Sequence, residues 1–155
     1  MVSKLQKELK QNKPFRSLEE EVMLNIARTA EYLATSVTAV LKTADLTGTQ
    51  YNVLRILRGA GSNGLSCSEI GERMVTKESD VTRLLDRIES RGFISRERPA
   101  SNRRIVVARI TDEGLHVLAE LDEPIDKLNR NLVGHLGKEK QKTLNELLEA
   151  IRKSD

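Results

Sequence analysis

The sequence predicts a mainly α-helical protein with one small β-hairpin. Helix-capping pairs recur along the chain: Thr47 is followed three residues later by Gln50, and Ser66 by Glu69. The spacing of apolar residues changes from a helical period to a period of two only between residues 93 and 107. Aromatic residues make up 3% of the 155 residues and charged residues 32%, which is typical of helices that pack through aliphatic side chains.

The N-terminal part predicts an arm and a long helix. Residues 1–16 are polar and contain Pro14, so we expect a loosely ordered arm that is either solvated or docked on a partner subunit. Ser17 and Glu20 form a capping pair, and apolar residues then recur at helical spacing to about Thr43. A first long helix is therefore expected between these points.

The middle of the chain predicts three shorter helices. The second helix begins at Thr47 and is ended by Gly59 and Gly61, and the third begins at Ser66. A turn at residues 75–77 separates the third helix from a fourth, which stops at Gly92. A helix, a brief turn and a second helix form the arrangement with which many proteins read DNA.

The hairpin is predicted from Phe93 to Arg98, followed by the turn-prone residues 99–102 and a β-branched run at 105–107. A fifth helix begins at Thr111, contains Pro124, which should kink it, and is followed by a sixth helix from about Lys138. We interpret residues 1–155 as a single domain, with a DNA-binding region at 46–111 between helical dimerisation regions at 17–44 and 112–153. The expected fold is a winged helix-turn-helix core flanked by N- and C-terminal dimerisation helices.

Composition restricts the possible functions. Cys67 is the single cysteine, which excludes an intrachain disulfide and is typical of a reducing compartment, so we expect a cytoplasmic protein. No segment approaches the roughly 20 apolar residues of a membrane span. With two histidines, no glycine-rich phosphate loop and no metal-ligand spacing, we expect no enzyme activity, cofactor or metal. The net charge is only +3, so an interaction with nucleic acid depends on where the basic residues cluster.

The fourth helix carries the side chains that we expect to read DNA in the major groove. The predicted contacts on it and in the preceding turn are Lys77, Ser79, Thr82, Arg83 and Arg87. Arg83 has the planar fork that pairs with guanine O6 and N7. The alternative is that Arg83 pairs with Asp80 or Asp86 along the helix, and that Arg87 pairs with Asp86 or Glu89.

The hairpin carries a second basic cluster. Its arginines are Arg96, Arg98, Arg103 and Arg104, set against the single acid Glu97. Arginines on a thin loop can enter a narrow minor groove. The alternative is a hairpin edge that charge protects from aggregation.

The segments NRRIVVARIT (102–111), VTRLLDRIESRGFI (81–94) and TDEG (111–114) together resemble the MarR family of transcriptional regulators. The family's wing signature is Asp, any residue, Arg, five residues, an aliphatic residue and Thr, and this chain departs from it only at Asn102. The resemblance implies that Arg104 is the wing arginine and that Asn102 and Arg103 flank it at the DNA. It also implies a homodimer on double-stranded DNA, repression from a pseudo-palindromic operator, and release by a small aromatic or lipophilic effector.

Other interpretations of individual residues stay open. Arg28, Tyr32, Tyr51 and His116 could line an effector cleft, and each could equally be a packed or surface residue. Cys67, near the start of the third helix, could make the protein redox-responsive or could be a small buried apolar group. The alternative function is a winged-helix module that binds an acidic protein surface.

Overall fold

The computed structural model describes residues 2–153, so residues 1, 154 and 155 of the predicted domain lie outside the described part. The chain forms two compact units, Met1–Ser36 and Val37–Asp155. Among the described residues, no helix is both long and apolar enough to cross a membrane.

The first unit contains helix α1 (Lys4–Glu8) and most of helix α2 (Leu18–Leu41). The Ser3 hydroxyl caps α1 by accepting a hydrogen bond from the Gln6 N–H at 3.2 Å, and the Leu5 side chain is 3% exposed. The prediction of a loosely ordered arm is therefore wrong for these residues, because burial of Leu5 and a side-chain cap stabilise this short helix.

The predicted start of α2 is confirmed, but its capping box is incomplete. Ser17 Oγ accepts a hydrogen bond from the Glu20 N–H at 3.2 Å, as a capping box requires. The Glu20 carboxylate accepts instead from the backbone N–H of Arg16 at 2.6 Å. This bond to Arg16 lowers the pKa of Glu20.

The second unit contains the remaining elements in the predicted order. After a 3₁₀ turn (Lys42–Ala44), they are α3 (Gly48–Ala60), a 3₁₀ turn (Gly61–Asn63), β1 (Leu65–Ser66), α4 (Cys67–Arg73), α5 (Val81–Ser90), β2 (Ile94–Glu97), β3 (Val107–Ile110), α6 (Asp112–Val133), a 3₁₀ turn (Gly134–Leu136) and α7 (Lys138–Arg152). Thr47 and Ser66 cap α3 and α4 through complete capping boxes, as the sequence predicts. Gly61, at φ 63°, ends α3, whereas Gly59 remains helical.

The sheet has three antiparallel strands in the order β1–β3–β2. The predicted hairpin is present, although its second strand begins at Val107, which pairs with Glu97. The sequence did not predict β1, which pairs Leu65 with Ala108 and Ser66 with Val107. A two-residue strand has no alternating pattern of its own and is defined only by its distant partner.

The core of the second unit lies among α3, α5 and α6 and the sheet. Its fully buried side chains include Leu54 and Leu57 of α3, Leu85 and Ile88 of α5, and Leu118 of α6. Arg58 of α3 and Asp122 of α6 add a two-bond ion pair at the edge of this core, with both N–O distances 3.0 Å. Helix α5 is therefore held firmly from one side, which leaves its other face for contact with a ligand.

Candidate nucleic-acid interface

Helix α5 has one buried and one polar face. Leu84, Leu85 and Ile88 are buried, and Asp80 caps the helix by accepting a hydrogen bond from the Arg83 N–H at 2.9 Å. The predicted contacts Lys77, Ser79, Thr82, Arg83 and Arg87 are all exposed. The capping bond explains why an acid stands at the start of a helix that we expect to face DNA.

Arg83 and Arg87 have no ion-pair partner among residues 2–153. Of the acids considered as alternative partners, Asp80 is engaged by the helix backbone, and Asp86 and Glu89 pair with Arg96 of β2. The intrahelical ion pairs are therefore not formed. Two guanidinium groups on α5 remain available to an anionic partner.

Arg96 is enclosed by the two acids of α5. Its Nη2 donates to Asp86 Oδ1 at 2.5 Å and to Glu89 Oε2 at 2.6 Å, and its Nε donates to Glu89 Oε2 at 3.0 Å. Its backbone N–H also donates to Glu89 Oε1 at 3.1 Å. The hydrogen bonds to Glu89 and Asp86 raise the pKa of Arg96. The sequence placed Arg96 among the DNA contacts; in the structure its guanidinium binds within the protein.

The hairpin β2–β3 with its connecting loop, residues 98–106, forms the wing. The Arg98 Nη1 donates to the Arg103 carbonyl at 2.8 Å, and the Asn102 side-chain oxygen accepts from the Arg104 N–H at 3.1 Å. These bonds fold the loop back on itself. The side chains of Arg103 and Arg104 are exposed and have no ion-pair partner in the described part of the chain.

The base of the wing is fastened to its neighbours on both strands. Arg109 of β3 pairs with Glu97 of β2 and donates to the Ser62 carbonyl at 2.7 Å. Thr111 donates its hydroxyl to the Gly92 carbonyl at 2.6 Å and its N–H to the Phe93 carbonyl at 3.0 Å. The wing therefore starts and ends on fixed backbone positions, which limits where its tip can reach.

A further contact fixes the turn before α5. The side-chain oxygen of Asn52 in α3 accepts a hydrogen bond from the Val75 N–H at 2.9 Å. Asn52 could not be identified from the sequence, because its hydrogen-bond partner lies 23 residues away. This bond holds the turn between α4 and α5 on α3.

Cys67 lies beside α5 in a cavity of about 480 Å³ bounded by α4, α5 and the wing. Its Sγ is 3.5 Å from the Thr82 hydroxyl, and Arg104 and Ile105 of the wing line the same cavity. The cysteine is half-buried. A redox response at Cys67 stays a prediction.

The sequence model of the MarR family matches residues 46–106, from the start of α3 into the wing. The regulator FarR of Neisseria gonorrhoeae is 26% identical over 140 residues, covering 90% of this chain and 94% of FarR. The transcriptional regulator HosA of Escherichia coli is 31% identical over 104 residues, covering 67% of this chain and 76% of HosA.

Solved structures of regulators are also similar to this chain. The MarR transcription factor of Planctomyces limnophilus is 34% identical with a TM-score of 0.67, covering 88% of this chain and 99% of that one. The chain belongs to the MarR family. NadR, solved in complex with 4-hydroxyphenylacetate, is 25% identical with a TM-score of 0.72, covering 92% of this chain and 100% of NadR.

The expected winged helix-turn-helix fold is thus confirmed, and these MarR-family relatives are transcriptional regulators rather than enzymes. At the wing, this chain has Asn102 where the family signature has aspartate. Asn102 still orders the tip, because its side-chain oxygen accepts from the Arg104 backbone. It supplies no charge to the Arg104 guanidinium.

The effector candidates lie in different surroundings. Within the first unit, Arg28 and Tyr32 of α2 line a cavity of about 610 Å³ beside α1. Within the second unit, Tyr51 is buried in the core with the Arg55 guanidinium 5.9 Å from its ring centre, and His116 is exposed on α6, 3.6 Å from Glu120. Of the four candidates, Arg28 and Tyr32 therefore share a cavity, and Tyr51 and His116 do not line it.

Proposed function

We propose that this MarR-family regulator binds double-stranded DNA sequence-specifically as a cytoplasmic homodimer and represses transcription from a pseudo-palindromic operator. The observation that carries the proposal is the pair of arginine sets without carboxylate partners among residues 2–153: Arg83 and Arg87 on α5, and Arg103 and Arg104 on the wing. Free guanidinium groups on a helix and an adjoining loop can bind both the base edges in a groove and the phosphates of a DNA duplex.

Each part of this surface has its own task in the proposal. Thr82 and Arg83 on α5 read base edges in the major groove, with Ser79 at the start of the helix. Lys77 and Arg87 bind phosphates on either side of them. Arg98, Arg103 and Arg104 approach the minor groove, and Asn102 sets the path of the tip through its bond to the Arg104 backbone.

A homodimer follows from the size of the site, since one reading helix covers few base pairs and a two-fold dimer doubles the contact. The helical regions 17–44 and 112–153 are the proposed interface. Apolar side chains are exposed there, with Leu18 72% and Met23 63% exposed on α2, and Leu147 60% and Ile151 53% exposed on α7. A second copy of the chain would cover them.

A small aromatic or lipophilic anion is the proposed effector. NadR, which is 25% identical, was solved with the aromatic carboxylate 4-hydroxyphenylacetate. Arg28 and Tyr32 supply a cation and an aromatic ring at one cavity, and Tyr51 and His116 remain candidates in the second unit. We expect the effector to weaken DNA binding.

Fluorescence anisotropy with labelled DNA from upstream of the protein's own gene tests this proposal. We expect tight binding that resists scrambled competitor, with two chains per site. Arg83→Ala should relax base preference at one position per half-site, whereas Arg104→Ala should weaken binding to all sequences and lower the salt slope by about 0.9.

The matched control is Arg16→Ala, just before α2, which removes the same charge from an exposed arginine that pairs with Glu20 and lies outside the DNA-binding region and the proposed dimer interface. We expect this variant to keep its base preference and its salt slope. If scrambled DNA competes as well as the upstream DNA, sequence-specific binding is ruled out, and a search for an acidic protein partner becomes the next step.

A further inference from the structure

We propose that Arg96 is a positioning residue for DNA binding, which holds the wing on α5 and engages the two acids of α5 so that Arg83 and Arg87 stay free. The inference rests on the proposed DNA binding and gives Arg96 a different task from that of the other wing arginines. It replaces the expectation that Arg96 contacts DNA itself.

Three donors of Arg96 converge on Glu89 and Asp86. The backbone N–H and Nε bind the two oxygens of Glu89, and Nη2 bridges Glu89 Oε2 and Asp86 Oδ1 at 2.6 and 2.5 Å. Hydrogen bonds between charged groups are stronger and more directional than neutral ones. The Arg96 side chain is only 20% exposed, so little of its guanidinium remains for a phosphate.

The position of Arg96 makes this contact a link between two parts of the interface. Arg96 lies in β2, paired with Ala108 of β3, and β2 is an edge strand of the sheet. The bond from its N–H to Glu89 therefore satisfies a donor that β3 does not use. The wing is thereby attached to α5 along the same strand that leads to the DNA-contacting tip.

The same contact decides what happens to the charges on α5. Asp86 is one residue before Arg87, and Glu89 lies two residues after it. Without Arg96, both carboxylates would face the DNA unpaired or would compete for Arg83 and Arg87. Arg96 thus keeps the two carboxylates of α5 paired within the protein.

The first test is Glu89→Gln, measured by fluorescence anisotropy on the operator. Removal of an acid from a DNA-binding surface normally tightens binding. We expect the opposite here, a weakening of about three- to tenfold, because the wing loses its charged anchor. The matched control is Glu72→Gln on α4, an exposed acid with no ion pair in the described part of the chain, which should bind as tightly as the wild type or more tightly.

The second test removes Arg96 from a protein without the two acids. In an Asp86→Asn, Glu89→Gln background, the addition of Arg96→Gln should leave the Kd within about twofold and the salt slope unchanged, since Arg96 then has no carboxylate on α5 to pair with. A direct phosphate contact would instead lower the slope by about 0.9 in that background. That result, or tighter binding by Glu89→Gln, would overturn the proposal.

A check that each variant is folded and a test of the wild type's DNA preference separate the possible failures. Far-UV circular dichroism and the midpoint of thermal unfolding establish that each variant is folded before its affinity is compared. A wild-type protein that does not prefer its operator over scrambled DNA contradicts the proposed function itself. A wild type that does prefer it, with the overturning results above, contradicts only the role of Arg96.

Discussion

Gly114→Ala should destabilise this protein although it replaces a helical glycine. Gly114 is buried in the first turn of α6, against Phe93, which precedes β2, and Ile110, which ends β3. A Cβ built at this position would lie 2.7 Å from Ile110 Cγ1 and closer still to the Phe93 carbonyl oxygen, nearer than real Cβ atoms come. That carbonyl cannot move freely, because it accepts the Thr111 N–H at 3.0 Å.

The magnitude follows from two opposing effects. In an open helical position, Gly→Ala stabilises a protein by about 1 kcal/mol because alanine loses less backbone entropy. An inserted methyl group in a packed site costs about 1–3 kcal/mol and sometimes more. Since the obstacle at Gly114 is backbone, we expect a net loss of about 2 kcal/mol, which corresponds to roughly 4–8 °C in the midpoint of thermal unfolding.

Urea unfolding followed by circular dichroism at 222 nm measures this loss, at one fixed protein concentration because a dimer's stability depends on concentration. The matched control is Gly59→Ala in α3, where a Cβ would meet nothing within 4 Å. It should stabilise the protein by about 0.5–1 kcal/mol. If both variants gained stability, the close contact inferred at Gly114 would be disproved.

Three further predictions concern contacts of the second unit. The Ser66 N–H donates to the Glu69 carboxylate at 2.8 Å, and this bond lowers the pKa of Glu69 from 4.5. Because the carboxyl has a lower pKa in the folded than in the unfolded protein, it stabilises the fold at a pH above its unfolded-state pKa. This stabilisation is lost as the pH falls through its folded-state pKa. The stability gap between wild type and Glu69→Gln should therefore shrink between pH 7 and pH 3 in urea titrations, and a constant gap would contradict this. Asp122→Asn, which weakens the pair with Arg58, should cost about 1 kcal/mol in urea unfolding, and much less when Arg58 is already Met. Thr47→Ala should cost about 1 kcal/mol by the same assay through loss of the α3 cap, and no loss would mean that the capping bond is unimportant.

The helix starts of the second unit could be predicted from the sequence because capping acts over three residues. Thr47, Ser66 and Thr111 each accept a hydrogen bond from the backbone N–H three positions later, as their sequence pattern predicts. The arginines of α5 and the wing were likewise visible as a cluster. The order of the longer helices and the hairpin, and the residues of the basic surface, could therefore be predicted from the sequence.

The sequence could not show which arginines of this cluster would be paired within the protein and which would stay unpaired. Arg96, Arg103 and Arg104 look alike along the chain, yet Arg96 alone of the three reaches carboxylates of α5 in the described structure. The residues that hold it are 7 and 10 positions away, across a helix end and a turn. Its separation from the other arginines depends on how β2 packs against α5.

Local sequence was enough to predict the longer helices, the hairpin, the winged fold and the clusters of positive charge, since these depend on periodicity, capping and composition within a few residues. Only the tertiary structure decided that Leu5 is buried, that Leu65 and Ser66 form a strand against β3, that Asn52 holds the turn before α5, and that Gly114 must lack a side chain. Each of these outcomes depends on atoms that come close in space from separate elements, and the distance between such atoms is set by packing rather than by local sequence.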